Sequence, residues 1–266
     1  MTKRIVVVSD FHCGHRAGLT PPEWQANLKR GRYAKWTKIE RECWRWYART
    51  LKELRRERPI DLAVFAGDGI EGAGRRSGGT ELLVTDRDEQ VEMAVRGLQE
   101  IGGKKYSLVR GTAYHVGDEE DWEDQIARAF STTAHDHEWY DVNGIIFDVK
   151  HHVGMSQVPY GRHTAIMRDL VWNSLWAEAK QAPRADFLIR AHVHFSVGGW
   201  VFSGAKQRWA MTLPALQAMG TKYGARRMSG LVDFGFAVFD VDDKGRTQWE
   251  IKVAPIKSQV ARATKV

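Results

Sequence analysis

The chain has 266 residues, of which 43% are apolar and 27% are charged, and its formal net charge is +7. These proportions are those of an ordinary soluble globular protein, and two cysteines, Cys13 and Cys43, are too few for a disulfide framework. No stretch approaches the roughly 20 apolar residues of a membrane span. We therefore expect a cytoplasmic protein without a membrane partner. We predict a single domain over residues 1–256 and a basic tail over residues 257–266.

In chain order, a β-branched strand is predicted over residues 5–9, followed by a long helix within residues 24–58 and a second buried strand over residues 60–66. The long helix holds twelve Lys or Arg against four Glu, interleaved with six Trp and Tyr residues. Such a mixture suits nucleic acid, because cations contact phosphates and rings stack on bases. The alternative is a solvated helix whose Trp residues face the core.

The remaining elements alternate and then change in character. Helices are predicted over 86–101, 118–130 and 162–179, with strands over 105–109, 145–149 and 186–190 between and after them. Segments near 195–202, 231–240 and 247–254 have the pattern of antiparallel strands. This order predicts an α/β fold with a central, partly parallel sheet, helices on it and a second β layer, which is a mixed-sheet α/β/β/α sandwich.

Residues of the metal-ligand type follow five predicted strands in succession, and six of the ten histidines are among them. They lie in the segments Asp10-Phe11-His12, Gly67-Asp68, Gly111 to His115, His151-His152 and His192-Val193-His194. In an extended segment, residues two apart point to the same side, so each D-x-H or H-x-H pair could reach one metal. Since ligands bind at the carboxyl ends of such strands, we predict that these side chains meet.

With these motifs, the sequence resembles the calcineurin-like metallophosphoesterase superfamily over residues 5–195. The pattern of that superfamily is D-x-H, G-D, G-N-H-[DE], a lone H and G-H-x-H. The segments S-D-F-H-C-G-H, G-D-G-I-E-G and V-R-G-T-A-Y-H-V-G resemble more narrowly a branch common in bacteriophages and prophages. A phage protein of this kind would act in the host cytoplasm.

The resemblance implies the following ligands for two metals: Asp10, His12 and His194 on the first, Asp68 as a bridge, and His192 and His151 on the second. We prefer His151 to His152 because it lies two residues past Val149 and so on the same face. Thr112 stands where the superfamily has Asn, and is predicted to be a weak ligand or a hydrogen-bonding bystander. We expect His115 to protonate the leaving oxygen, with direct metal binding as the alternative, so that Asp68 and His115 are the predicted catalytic residues.

A mixed set of imidazole and carboxylate ligands suits Mn²⁺, Fe, Zn²⁺ or Ni²⁺ better than Mg²⁺, and we expect Mn²⁺. The predicted function is hydrolysis of phosphodiesters in nucleic acid or nucleotides through a water activated by two metals. The alternatives are a phosphomonoesterase, and a nucleic-acid-binding module without catalysis. Near the site, Glu71 is either a group that orients a ligand or a plain loop carboxylate. The basic segment 72–80 is a candidate phosphate clamp.

Overall fold

The computed structural model describes residues 1–25, 34–116, 121–219, 231–256 and 264, so the predicted tail lies almost wholly outside the described residues. The described strands are β1 (Lys3–Val8), β2 (Leu62–Phe65), β3 (Lys105–Val109), β4 (Ala134–His135), β5 (Glu138–Val142), β6 (Ile145–Lys150), β7 (Phe187–Arg190), β8 (Gly198–Ser203), β9 (Lys206–Thr212), β10 (Gly235–Val241) and β11 (Thr247–Val253). The described α-helices are α1 (Ala34–Glu57), α2 (Arg87–Gln99), α3 (Ala113–Val116), α4 (Trp122–Ala129) and α5 (Arg162–Glu178).

These strands form two mixed sheets. The first has the order β11-β10-β1-β2-β3-β4, in which β1 to β4 are parallel and β10 and β11 are antiparallel additions beside β1. The second has the order β5-β6-β7-β9-β8, with β6, β7 and β9 parallel and the two edge strands antiparallel. The carboxyl ends of the parallel strands are therefore the places to look for a ligand site.

The two sheets face each other across one apolar layer, which contains Val7 and Phe239 from the first sheet and Phe147 and Ile189 from the second. On the outer side of the first sheet, α1, α2 and α4 cover a second apolar cluster. On the outer side of the second sheet, Ile166 and Leu170 of α5 pack against a third. The layers are thus helix, sheet, sheet and helix, and the predicted α/β/β/α sandwich is confirmed.

The distribution of strands between the sheets differs from the prediction of a single central sheet followed by a closing β layer. The fourth and fifth predicted strands, β6 and β7, form the second sheet, while the late strands β10 and β11 join the first. The sequence pattern does not determine which sheet a strand joins, because a parallel strand buried on both faces has the same apolar run in either sheet. Strands β4, β5 and β9 were not predicted, since none has a continuous apolar run.

Helix α1 turns its described aromatic rings toward the core. Tyr47 and Trp44 are 0% and 7% exposed, and the ring of Trp46 packs against Phe234 and Phe236. The rings of Trp44 and Tyr47 are thus buried and that of Trp46 is partly buried, so in this part of the helix the Trp residues face the core. The side chains of residues 26–36 lie outside the described residues.

The outer face of α1 is cationic. Its exposed Lys and Arg residues recur every three or four positions and so form one stripe along the helix: Lys38, Arg41, Arg45, Arg49, Lys52 and Arg56. We call these six residues the cationic stripe. In the part of the chain that is described, no helix is both long and apolar enough to cross a bilayer.

Candidate metal centre

The segments that follow β1 and β2 run side by side and bring three of the predicted site residues together. The backbone N–H of Asp10 donates to the carbonyl of Gly67 (2.9 Å), and that of His12 donates to the carbonyl of Asp68 (3.0 Å). Between them, Phe11 is fully buried, and its ring packs against the ring of Phe65 at 4.9 Å. The middle residue of the D-x-H motif thus anchors the segment in the core while its neighbours turn to the site.

Asp10, His12 and His194 form the first group of potential ligands. Oδ1 of Asp10 lies 3.2 Å from Nε2 of His194 and 3.8 Å from Nε2 of His12, and the two Nε2 atoms are 3.2 Å apart. Two ligands that each lie about 2.1 Å from one cation are roughly 3.0–3.4 Å apart, for angles between a right angle and a tetrahedral one. The two spacings to Nε2 of His194 therefore fit one shared cation, while the 3.8 Å between Asp10 and His12 needs a wider angle of about 130° at the metal.

Asp68, His151 and His192 form the second group. Nδ1 of His151 donates to the carbonyl of Ala66 (2.6 Å), which leaves Nε2 directed at Oδ2 of Asp68, 3.2 Å away. His151 is 1% exposed, whereas His152 is exposed and only its ring approaches His192, at 4.8 Å. The structure thus brings His151, and not His152, to Asp68.

His115 connects the two groups, because it forms a third potential ligand set with His12 and Asp68. Its Nδ1 lies 3.2 Å from the carbonyl oxygen of Glu71, which can only accept, so Nδ1 is the donor. The carboxylate of Glu71 lies 3.0 Å from Nδ1 of His12. The sequence left Glu71 as either a group that orients a ligand or a plain loop carboxylate. The structure favours the first interpretation, because the carboxylate of Glu71 contacts His12 and its backbone carbonyl contacts His115.

Thr112 contacts Asp68 with both its backbone and its side chain. Its N–H donates to Oδ1 of Asp68 (2.7 Å), and its hydroxyl lies 3.1 and 3.2 Å from Oδ1 and Oδ2. Gly111 permits this approach, since a Cβ at that position would lie 2.1 Å from Oδ1 of Asp68. The sequence left Thr112 as either a weak metal ligand or a hydrogen-bonding bystander. In the structure it makes hydrogen bonds to Asp68, which agrees with the second description.

The backbone at the site is unusual. Of the eight non-glycine residues with positive φ in the described part of the chain, five are candidate ligands: Asp10, His12, Asp68, His192 and His194. The left-handed conformation costs an ordinary residue about 1–2 kcal/mol, and such strain is concentrated at functional sites. The two residues of D-x-H are thus not in an extended strand, as the sequence argument assumed. They converge because each one turns the chain.

Burial and close opposite charge dominate the electrostatics. Burial raises the pKa of Asp10 and Asp68, but the neighbouring imidazoles outweigh it and hold both values well below the usual range. Burial lowers the pKa of His12 and His151, but the adjacent carboxylates outweigh it and raise each to about 10. Burial and the nearby His151 lower the pKa of His192 to about 4. The buried carboxylates are therefore stabilised by nearby positive charge. A divalent cation could supply that charge in place of the protons on His12 and His151, which would be released when it binds.

Two buried atoms at the centre indicate that a cation fits. Oδ1 of Asp10 and Nε2 of His151 are inaccessible to solvent, and neither makes a hydrogen bond with any described residue. Buried polar atoms without a hydrogen bond are rare and call for an explanation such as a bound ion. Both atoms belong to the groups described above, and both face the other potential ligands of their group.

Glu123 of α4 was not singled out by the sequence, where it is one of several acids in a predicted first helical turn. It is 0% exposed, and its carboxylate accepts from the N–H of Gly69 (3.0 Å) and of Gly111 (2.5 Å). Burial, and then the nearby Asp68, raise its pKa to about 8. Glu123 therefore connects the segment after β2 with the segment after β3. This contact could not be predicted from the sequence, because periodicity shows burial but not hydrogen bonds between distant segments.

Glu123→Gln is expected to weaken Mn²⁺ binding by about 10- to 100-fold, as loss of a group that supports metal ligands commonly does. Glutamine has a single acceptor oxygen, so one of the two N–H groups next to Asp68 and Thr112 loses its partner. Calorimetric titration with Mn²⁺ measures the effect. Asp124→Asn is the matched control, because Asp124 faces Arg110 instead. Equal Mn²⁺ affinities of the two variants would contradict the role given to Glu123.

The sequence has no match among known protein families or curated proteins. The structure is similar to that of the purple acid phosphatase PPD1 from yellow lupin (Lupinus luteus) seeds, with a TM-score of 0.54 and 11% identity over 98% of this chain and 53% of that one. The chain has the fold of this phosphatase. Vps29 from Entamoeba histolytica, solved with zinc, gives a TM-score of 0.45 and 13% identity over 94% of this chain and 98% of that one. NAD nucleotidase from Haemophilus influenzae gives a TM-score of 0.42 and 9% identity over 95% of this chain and 49% of that one. None of these three is a phage protein, and the narrower resemblance stays a prediction.

The segment after β3 departs by two inserted residues from the G-N-H pattern of the superfamily that the sequence resembles. The short helix α3 compensates for the insertion, since the N–H of His115 donates to the carbonyl of Thr112 (2.9 Å). One helical turn thus returns the imidazole to the side on which Asp68 lies, and the ring of His115 is 4.5 Å from that of His12. The insertion therefore does not remove the histidine from the site.

Proposed function

We propose that this chain is a metal-dependent phosphoesterase that hydrolyses phosphodiesters of nucleic acid or nucleotides. The observation that carries the proposal is the convergence of three overlapping groups of carboxylates and imidazoles at the ends of strands in both sheets. Asp10, His12 and His194 would hold one divalent cation, and His151 and His192 a second, with Asp68 shared between them. The mixture of nitrogen and oxygen donors favours Mn²⁺, with Fe, Zn²⁺ or Ni²⁺ as alternatives to it.

Each residue of the site has a stated task in this proposal. Two divalent cations bound there would supply an activated water as nucleophile and would neutralise charge on the phosphoryl oxygens. His115 as the imidazolium would pass the proton on Nε2 to the leaving oxygen and become neutral, while its Nδ1–H stays on the carbonyl of Glu71. Thr112 orients the carboxylate of Asp68 through two hydrogen bonds. Glu71 fixes the imidazole of His12.

The cationic stripe supports a polymeric diester over a small monoester. Its ends, Lys38 and Arg56, are eighteen residues apart, which corresponds to roughly 27 Å along the helix and several phosphates of a nucleic acid. The guanidinium of Arg4, at the start of β1, donates to the carbonyl of Leu54 near the end of α1. The other end of α1 therefore lies toward the carboxyl edge of the sheet. A nucleic acid along the stripe would extend toward the site.

The proposal is tested by hydrolysis assays on protein first treated with a chelator and then supplied with Mn²⁺. We expect bis-p-nitrophenyl phosphate to be cleaved faster than p-nitrophenyl phosphate, and single- or double-stranded DNA or RNA to be cleaved as well. A strong preference for the monoester would instead identify a phosphomonoesterase. No hydrolysis with Mn²⁺, Fe²⁺, Zn²⁺ or Ni²⁺, together with retained nucleic-acid binding, would identify a binding module and refute the proposal.

A further inference from the structure

The basic segment Gly72–Thr80 lies directly against the residues that carry His115. The backbone N–H of Arg76 donates to the hydroxyl of Tyr114 (2.5 Å), and the guanidinium carbon of Arg76 lies 4.8 Å from the centre of the Tyr114 ring. That ring in turn meets the His115 ring edge-on, at 4.8 Å between centroids. Arg76, Tyr114 and His115 therefore form a continuous row that leads away from the metal centre.

This row is held in place by its surroundings. Gly72 is bound on both sides by the buried amide of Gln90, which accepts from its N–H (2.9 Å) and donates to its carbonyl (3.1 Å). A Cβ on Gly72 would lie 2.4 Å from the carbonyl oxygen of His115, so only glycine permits this approach. The turn that carries Arg76 begins and ends at Gly74 and Gly78, both left-handed. The position of Arg76 relative to His115 is thus determined by the local fold.

The row of Arg76, Tyr114 and His115 lies where one particular part of a substrate would bind. Under the proposed function, His115 protonates the leaving oxygen, so the group attached to that oxygen must extend past His115. The next residues along that direction are Tyr114, which is partly exposed, and Arg76, whose side chain is exposed. An aromatic ring beside a guanidinium is a combination that contacts a nucleoside and the phosphate attached to it.

We propose that Arg76 and Tyr114 form a subsite for the leaving part of a polynucleotide, in which Arg76 binds the first phosphate beyond the scissile one. This inference rests on the proposed function and adds a substrate class to it. The preferred substrate carries at least one further phosphate on the leaving side. Diesters whose leaving group has no phosphate, such as bis-p-nitrophenyl phosphate, cannot use Arg76.

The test compares kcat/KM for bis-p-nitrophenyl phosphate with kcat/KM for an oligothymidylate, using Mn²⁺ throughout. Arg76→Ala is expected to lower the value for the oligonucleotide by about 10-fold or more, as loss of a charge-assisted hydrogen bond to phosphate does, and to change the value for the small diester by less than about 2-fold. Tyr114→Ala is expected to reproduce this selective loss. Lys244→Ala is the matched control, because Lys244 is an exposed cation at the β10–β11 turn. We expect it to change neither value.

The possible failures are distinguishable. An active parent whose Arg76→Ala variant loses both activities equally, or neither, would overturn the subsite and leave the proposed function intact. Loss of oligonucleotide cleavage in Lys244→Ala to the same extent would show a general charge effect and would also overturn the subsite. A parent that hydrolyses neither diester would overturn the proposed function, and the subsite with it.

Discussion

Asp68→Asn is expected to lower kcat for bis-p-nitrophenyl phosphate with Mn²⁺ by about 10³-fold or more, which corresponds to about 4 kcal/mol in the activation barrier. Among the described residues, Asp68 belongs to two of the three potential ligand groups, one with His151 and His192 and one with His12, which also belongs to the group of Asp10. This position between the groups is why we propose it as the shared ligand. Asparagine keeps the shape of the side chain but is neutral and offers one ligand oxygen in place of two. We expect the Mn²⁺ content per chain to fall as well, which elemental analysis after gel filtration measures.

The control for this variant is Asp243→Asn, which removes an exposed carboxylate at the β10–β11 turn. It is expected to leave both kcat and Mn²⁺ content unchanged. Circular dichroism melting separates loss of activity from loss of fold, because Asp68 is 1% exposed and its replacement also leaves His151 without a charged partner. An Asp68→Asn variant as active as the parent would show that the site is wrongly assigned, or that activity is not its function.

The adjacent histidines His151 and His152 provide the second prediction. His151→Ala is expected to lower kcat by about 10²-fold and to reduce the Mn²⁺ content, because His151 lies in one group with Asp68 and His192 and is buried. His152→Ala is expected to change kcat by less than about 3-fold. His152 is exposed, and no potential ligand group that the described residues form includes it. The same assay and elemental analysis measure both variants.

This pair is informative because each variant is the matched control of the other. The two substitutions remove the same side chain from neighbouring positions at the end of one strand. A larger loss in His152→Ala than in His151→Ala would contradict the geometry of the site. Equal and small losses would show that the second cation does not depend on the end of β6.

The layer architecture could be predicted from sequence because apolar runs and helical spacing report burial directly. The runs within β1, β2 and β7 and the periodicity of α2 gave elements close to those observed. The assignment of strands to sheets could not be predicted, because β6 and β7 have the same apolar character in either sheet. The aromatic residues of α1 allowed two interpretations, and burial of Trp44 and Tyr47 was visible only in three dimensions.

The sequence predicts a set of candidate site residues but not how the chain brings them together. The convergence of Asp10, His12 and His194 follows from left-handed residues and from the buried Phe11, whereas the sequence argument relied on strand alternation. Glu123 escaped notice because its two partners are backbone N–H groups of distant segments. The choice of His151 over His152 agrees with the placement in the structure, since the polypeptide beyond β6 turns the first of the two inward.

The most direct test of the central claim is a crystal structure of the protein soaked in Mn²⁺, with anomalous scattering used to locate the metal. The account predicts two Mn²⁺ ions, one bound by Asp10, His12 and His194, the other by His151 and His192, with Asp68 in contact with both. Manganese bound elsewhere on the chain, or Mn²⁺ that makes no contact with Asp68, would contradict it.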